Sequence, residues 1–181
     1  MKLRDYTRIL LVGFMGAGKS SVGCELSLLL HDSLIDLDES ITITERRTPQ
    51  QLIDEDGEDS FRAAETRALL TAFDYGTARI IALGGGALTA PATRELIARR
   101  NCFIIWLDAP FELCWQRIEG DDSRPFARDR EQARRLYEER REFYALADCR
   151  VEVSAGKSVE AVAAEINVIV RSRMDWVEGW S

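Results

Sequence analysis

A run of aliphatic residues that stops on a glycine-rich turn constrains this chain more than any other stretch. Ile9-Leu10-Leu11-Val12 reads as a buried strand, and Gly13-Phe14-Met15-Gly16-Ala17-Gly18-Lys19-Ser20-Ser21 follows at once. Gly13, Gly18, Lys19 and Ser20 fit the pattern G-x-x-x-x-G-K-[ST]. In that pattern the glycines let backbone N–H groups turn inward as an anion nest. The helix that follows adds its own free N–H groups and the positive end of its dipole. Gly16, Ala17, Gly18, Lys19, Ser20 and Ser21 are therefore the expected nucleotide-binding residues. Lys19 is expected on the outer phosphates and the Ser20 hydroxyl on a magnesium ion. A plain strand–turn–helix junction carries similar glycines, but the full pattern in this setting favours a nucleoside triphosphate.

The rest of the chain is long enough to build a core behind that loop. Its 181 residues suit one domain. A composition 46% apolar and 30% charged is that of a soluble globular protein. The net charge of −7 argues against a broad basic face for nucleic acid. Cys24, Cys102, Cys114 and Cys149 show no C-x-x-C spacing, and His31 is the one histidine. Structural zinc and a disulfide scaffold are accordingly disfavoured. Met1-Lys2-Leu3-Arg4-Asp5 is too short and polar for a signal peptide. No apolar run approaches the ~20 residues that span a membrane. The expectation is a cytoplasmic protein without membrane or nucleic-acid partners.

Taken in order, the chain alternates strands and helices. A helix over Ser20–Leu30, with Val22, Leu26, Leu29 and Leu30 inward, leads to a short strand at Leu34-Ile35-Asp36. A polar helical region extends to about Arg79, with a turn at Asp54–Glu58 and a helix over Phe61–Phe73. A third strand, Arg79–Leu83, ends in Gly84-Gly85-Gly86, and a helix starts at Pro91. Phe103–Asp108 is a fourth strand, with a helix from Pro110. After a charged loop from Gly120 to Asp129 come a helix over Arg130–Ala147, a strand at Cys149–Val153 and a closing helix over Ser158–Arg173. The tail from Met174 to Ser181 shows no clear pattern. Such alternation implies an α/β fold, a parallel sheet with helices on both faces. Ligands bind at the C-terminal edge of such sheets, where the phosphate loop, Asp36-Leu37-Asp38 and the glycine triplet all fall.

Asp36 and Asp38 point to one side if the strand persists, one near magnesium and the other accepting a proton from a hydroxyl nucleophile. The alternative is a helix start, since aspartate is a common N-cap. Arg62 and Glu65, three apart on a helix, can pair on one face. Arg117, Arg124, Arg128 and Arg140 lie in the charged region, and Ser123-Arg124-Pro125 sits in a loop that could close over phosphates.

Together these residues resemble the shikimate kinase family. The resemblance runs through Gly13–Ser20, Leu34–Asp38, Glu55-x-Gly57-Glu58-x-x-Phe61-Arg62-x-x-Glu65, Leu83–Ala87, Ser123-Arg124-Pro125 and Arg140-x-x-x-Tyr144-x-x-x-Ala147-Asp148. These occur in family order over roughly residues 8 to 153. The resemblance implies a three-layer P-loop kinase fold with five parallel strands in the order 2-3-1-4-5. It implies one domain over residues 1–181, with a substrate-binding helical segment at about 37–75 and a lid at about 117–130.

The implied reaction is phosphoryl transfer from ATP, with magnesium, to the 3-hydroxyl of shikimate, in a monomer. Asp38 would contact substrate hydroxyls as base or orienter, with Lys19 and Arg124 as further catalytic groups. Asp36 and Ser20 would support magnesium. Arg62 and Arg140 would grip the substrate carboxylate, Glu65 would hold Arg62, and Gly84, Gly85 and Gly86 would line the pocket. Arg124 would close on the phosphates and Arg117 would stack near adenine. Glu142 stands where the family's late motif has proline, Phe126-Ala127 where leucines are usual, and Thr42–Gln51 lacks a glycine. Those departures leave the charged groups in place. Two other readings stay open: a kinase of another hydroxy acid such as gluconate, and a catalytically silent nucleotide-binding module.

Overall fold

Residues 8–121 and 129–178 are described by a computed structural model of the chain. Five strands form one sheet: β1 (Arg8–Val12), β2 (Leu34–Asp36), β3 (Ile80–Ala82), β4 (Cys102–Asp108) and β5 (Cys149–Glu152), in the order β2-β3-β1-β4-β5. Every pairing is parallel, with Ile9 of β1 opposite Ile80 on one side and Phe103 on the other. Helices cover such a sheet on both faces, so its central strands are near-continuous apolar runs. Leu10, Leu11, Ile80, Ile81, Ile105 and Leu107 are accordingly buried. Because β1 lies between β3 and β4, the loop after it opens where the strand order reverses.

The helices are α1 (Lys19–Leu30), α2 (Leu37–Glu45), α3 (Pro49–Asp56), α4 (Glu58–Asp74), α5 (Pro91–Ala98), α6 (Phe111–Ile118), α7 (Arg130–Tyr144) and α8 (Val159–Glu178), with a 3-10 turn over Ala87–Thr89. Local chemistry sets their ends. Thr48 and Gln51 form a reciprocal capping box at the start of α3, with proline at its first position. Gly57, at φ 87 and ψ 164, closes α3 and opens α4 in a conformation essentially reserved for glycine. The Asp129 side chain caps α7 by accepting from the N–H groups of Glu131 and Gln132.

Two apolar clusters result. The larger surrounds the sheet, and the smaller joins Ile41, Leu52, Phe61 and Ala64 from α2, α3 and α4. The second cluster is what holds the 37–74 segment together beside the sheet edge.

Several sequence expectations need correction. The expected turn at Asp54–Glu58 shrinks to Gly57, because α3 runs through Asp56 and α4 begins at Glu58. Asp36 ends β2 and becomes the N-cap of α2, so strand alternation does not orient Asp38. Leu29 faces outward rather than in. The closing helix continues past Arg173 to Glu178.

Candidate active site

The site begins where β1 ends. Gly13, Gly16 and Gly18 take positive φ, which curls the chain around the start of α1. Lys19 Nζ lies over this loop and donates to the carbonyls of Gly13 at 2.9 Å and Phe14 at 3.1 Å. Arg117, from the last turn of α6, reaches the same loop by donating to the Gly16 carbonyl at 2.9 Å. A cavity of about 200 Å³ opens there, lined by Gly16, Gly18, Lys19, Ser20, Ser21 and Arg117 together with Asp36 and Asp38. Ala17 is buried beneath the loop, its N–H donating to the Phe14 carbonyl at 3.1 Å.

Asp36 links the loop to the next strand. Its Oδ1 accepts from the N–H groups of Asp38 at 3.0 Å and Glu39 at 3.3 Å, and its Oδ2 accepts from the Ser20 hydroxyl. Capping therefore fixes Asp36 and sets Asp38 in the first turn of α2. Ser20 and Asp36 together present oxygen donors beside the phosphate loop, which suits Mg²⁺ held by one or two protein groups and substrate phosphates. No cluster of three or more His, Cys, Asp or Glu suited to a metal occurs among the described residues.

On the other side of Asp38 lies a larger cavity of about 380 Å³, lined by Asp36, Asp38, Arg62, Glu65, Gly84–Gly86 and Arg140. Arg62 Nη1 donates to Glu65 at 2.8 Å and Nη2 to Glu58 at 3.0 Å, with its guanidinium also over the Phe61 ring. Glu65 is 1% exposed, and its Oε1 has no hydrogen-bond partner among the described residues. Burial raises the Glu65 pKa above the usual carboxylate range, against the opposing pull of Arg62.

The glycine triplet makes this packing possible. A Cβ on Gly84 would overlap Glu65 Oε1 and lie 3.0 Å from Asp38 Oδ1, and one on Gly86 would overlap the Arg62 guanidinium. Arg140 closes the far wall from α7, 5% exposed and 6.0 Å from the Phe14 ring centroid. Burial lowers its pKa below the usual arginine range. Tyr144, one turn further along α7, donates its hydroxyl to the Gly85 carbonyl. That bond ties the helix bearing Arg140 to the triplet.

The two cavities meet at Ser20, Asp36 and Asp38, which line both. The smaller has the geometry of a phosphate cradle. The larger adds two arginines to the carboxylates at that junction, an arrangement for a small molecule carrying an acid group and hydroxyls. Arg124 and the rest of the Ser123-Arg124-Pro125 segment lie outside the described residues.

Sequence reasoning did not single out Met15, Thr42, Thr48, Pro49 and Ile53, which also line the larger cavity. Their letters carry no chemical signature. The capping box at Thr48 was the one readable sign that this wall is built by the start of a helix.

Residues 15–170 match the shikimate kinase family. A shikimate kinase of Persephonella marina is 36% identical over 159 residues, covering 87% of this chain and 95% of that protein. One from Geobacter sulfurreducens is 36% identical and covers 92% of each. Among solved structures, shikimate kinase from Acinetobacter baumannii in complex with shikimate superposes with a TM-score of 0.84 at 32% identity. That match covers 92% of this chain and 94% of the other.

Proposed function

The chain belongs to the shikimate kinase family, and from that premise we propose that it transfers the γ-phosphoryl group of ATP to the 3-hydroxyl of shikimate. The observation that carries the reading is the junction of the two cavities at Ser20, Asp36 and Asp38. A phosphoryl group held by the loop and a hydroxyl held in the larger cavity meet at that wall. Phosphoryl transfer depends on such placement and on electrostatic stabilisation more than on covalent steps by the protein.

The roles follow from position and charge. Lys19 leaves the Gly13 and Phe14 carbonyls for the outer phosphates, alongside the backbone amides of Gly16–Ser21. Asp38 orients the attacking hydroxyl and takes its proton. Ser20 and Asp36 would hold Mg²⁺, which would neutralise phosphate charge when bound. Arg62 and Arg140 take the acceptor's carboxylate by their planar donor edges, Glu65 holds Arg62, and Gly84–Gly86 let the ring approach the backbone. Arg117 lies beside the adenine, and Arg124 closes on the phosphates as part of a lid at about 117–130. The enzyme works as a cytoplasmic monomer of one domain. No helix of the described residues is long and apolar enough to cross a membrane.

Intact Lys19, Ser20, Asp36 and Asp38 weigh against a silent nucleotide-binding module, and the Phe61-Arg62 and glycine-triplet motifs, shared with the shikimate kinase family, weigh against gluconate. The test is magnesium-dependent ADP release with shikimate, with gluconate and with no acceptor. Release stimulated by shikimate alone is the expected result. Tight ATP binding without such stimulation would overturn the acceptor.

A further inference from the structure

Glu58 is a charged neighbour of the acceptor cavity that the reaction above leaves without a part. It lies in the first turn of α4 with its side chain 54% exposed, and its Oε1 accepts from Arg62 Nη2 at 3.0 Å. Arg62 Nη1 is held at 2.8 Å by Glu65, whose side chain is 1% exposed. The two carboxylates are not equivalent. Glu65 is locked by packing and sets where the guanidinium sits. Glu58 reaches the same group from the solvent side, where an ion pair contributes little to stability and its side chain is free to leave.

The charge of Glu58 also bears on Arg140, the second arginine of the clamp. It is among those that favour the cationic form of that arginine, against the burial that disfavours it. One exposed carboxylate thus hydrogen-bonds one guanidinium assigned to the acceptor's acid group and acts electrostatically on the other. Arg62 has donors on both terminal nitrogens, and in this structure Glu65 takes one edge and Glu58 the other.

We propose that Glu58 is an internal competitor for the acceptor's carboxylate, occupying the Nη2 edge of Arg62 until an anionic ligand displaces it. The inference rests on the shikimate reading and deepens it, because it names a residue that sets how tightly an acidic acceptor is held. A ligand with a carboxylate replaces one anion by another at the guanidinium. An uncharged polyol offers no such exchange and leaves Glu58 where it is. A carboxylate must displace Glu58 and a neutral polyol need not, so the competitor lowers the affinity for acids and narrows their advantage over uncharged ligands.

The test is calorimetric titration of shikimate and of shikimate methyl ester into the wild-type protein and Glu58→Gln, with steady-state kinetics in parallel. Glu58→Gln is expected to bind shikimate about two- to fivefold more tightly, the range set by an exposed ion pair. KM for shikimate falls in proportion, KM for ATP holds, and the ester does not share the gain. Unchanged or weaker shikimate binding in an enzyme that phosphorylates shikimate overturns the competitor alone, as does an equal gain for the ester. Wild-type protein that neither binds nor phosphorylates shikimate overturns the substrate reading and this inference with it.

Discussion

Gly84 passes so close to two carboxylates that its missing side chain is part of the site's shape. Gly84→Ala would push against the buried Glu65 and against Asp38. The expected outcome is a rise of about tenfold or more in KM for shikimate, a 1.4 kcal/mol effect or larger. Nucleotide titration should show ATP binding retained. At Asp38, replacement by asparagine keeps the shape and removes the base. A fall in kcat of about a hundredfold or more is expected, again with ATP binding intact, and unchanged turnover would take Asp38 out of the reaction.

Glu65 makes a pH prediction whose sign follows from linkage. Its pKa is raised on folding by burial, so the folded state holds that proton more tightly than the unfolded chain. Its contribution is most favourable below the unfolded carboxylate pKa and is lost as pH rises through the folded value. The thermal midpoint of wild type minus that of Glu65→Gln should therefore fall as pH increases across that window. A flat difference would remove Glu65 as the titrating group. Arg62, Glu65 and Arg140 were legible as letters, but their roles came with the family resemblance, because nothing local tells a buried charge from a surface one. The orphaned Oε1 and the overlap at Gly84 were not legible, since they depend on a fit within fractions of an ångström.

Between α3 and α4 a single residue does the work that the sequence assigned to a five-residue turn. The acidic run Asp54–Glu58 looks like loop, yet α3 keeps its hydrogen bonds through Asp56 and only Gly57 breaks step. Its φ of 87 and ψ of 164 belong to a region costing other residues about 1–3 kcal/mol. Gly57→Ala is expected to lower stability by that order, read by denaturant unfolding. KM for shikimate should rise more than KM for ATP, because Arg62 lies on the helix that this residue aims. The aspartate pair teaches a related lesson. Alternation along a strand was one way to bring Asp36 and Asp38 to a common cleft, and capping at the start of α2 achieves it instead. Residue types at that spacing were readable. The geometry was not, because a carboxylate that caps two N–H groups outcompetes one more strand residue.

Across the whole molecule, the number of strands and their parallel sense were legible from alternating apolar runs and helices. Their order came only with the family resemblance, because no local feature of a parallel strand names its neighbour. The same burial that builds the sheet also shields its thiols. Cys114 is buried behind the phosphate loop with its pKa pushed up to about 11, and burial does the same to Cys102. Alkylation at neutral pH followed by mass spectrometry should label exposed Cys24 first and half-buried Cys102 more slowly, with Cys114 reacting only on global unfolding. Rapid labelling of Cys114 in the native protein would contradict this packing. The wall of Ser20, Asp36 and Asp38, common to both cavities, bears on redesign. A change there alters donor and acceptor handling at once, so retooling for a new alcohol falls to residues that line the larger cavity alone, Arg62 and Arg140 among them. The enzyme thus has a fixed half and an adjustable half, and relatives that took on other substrates would diverge along that boundary.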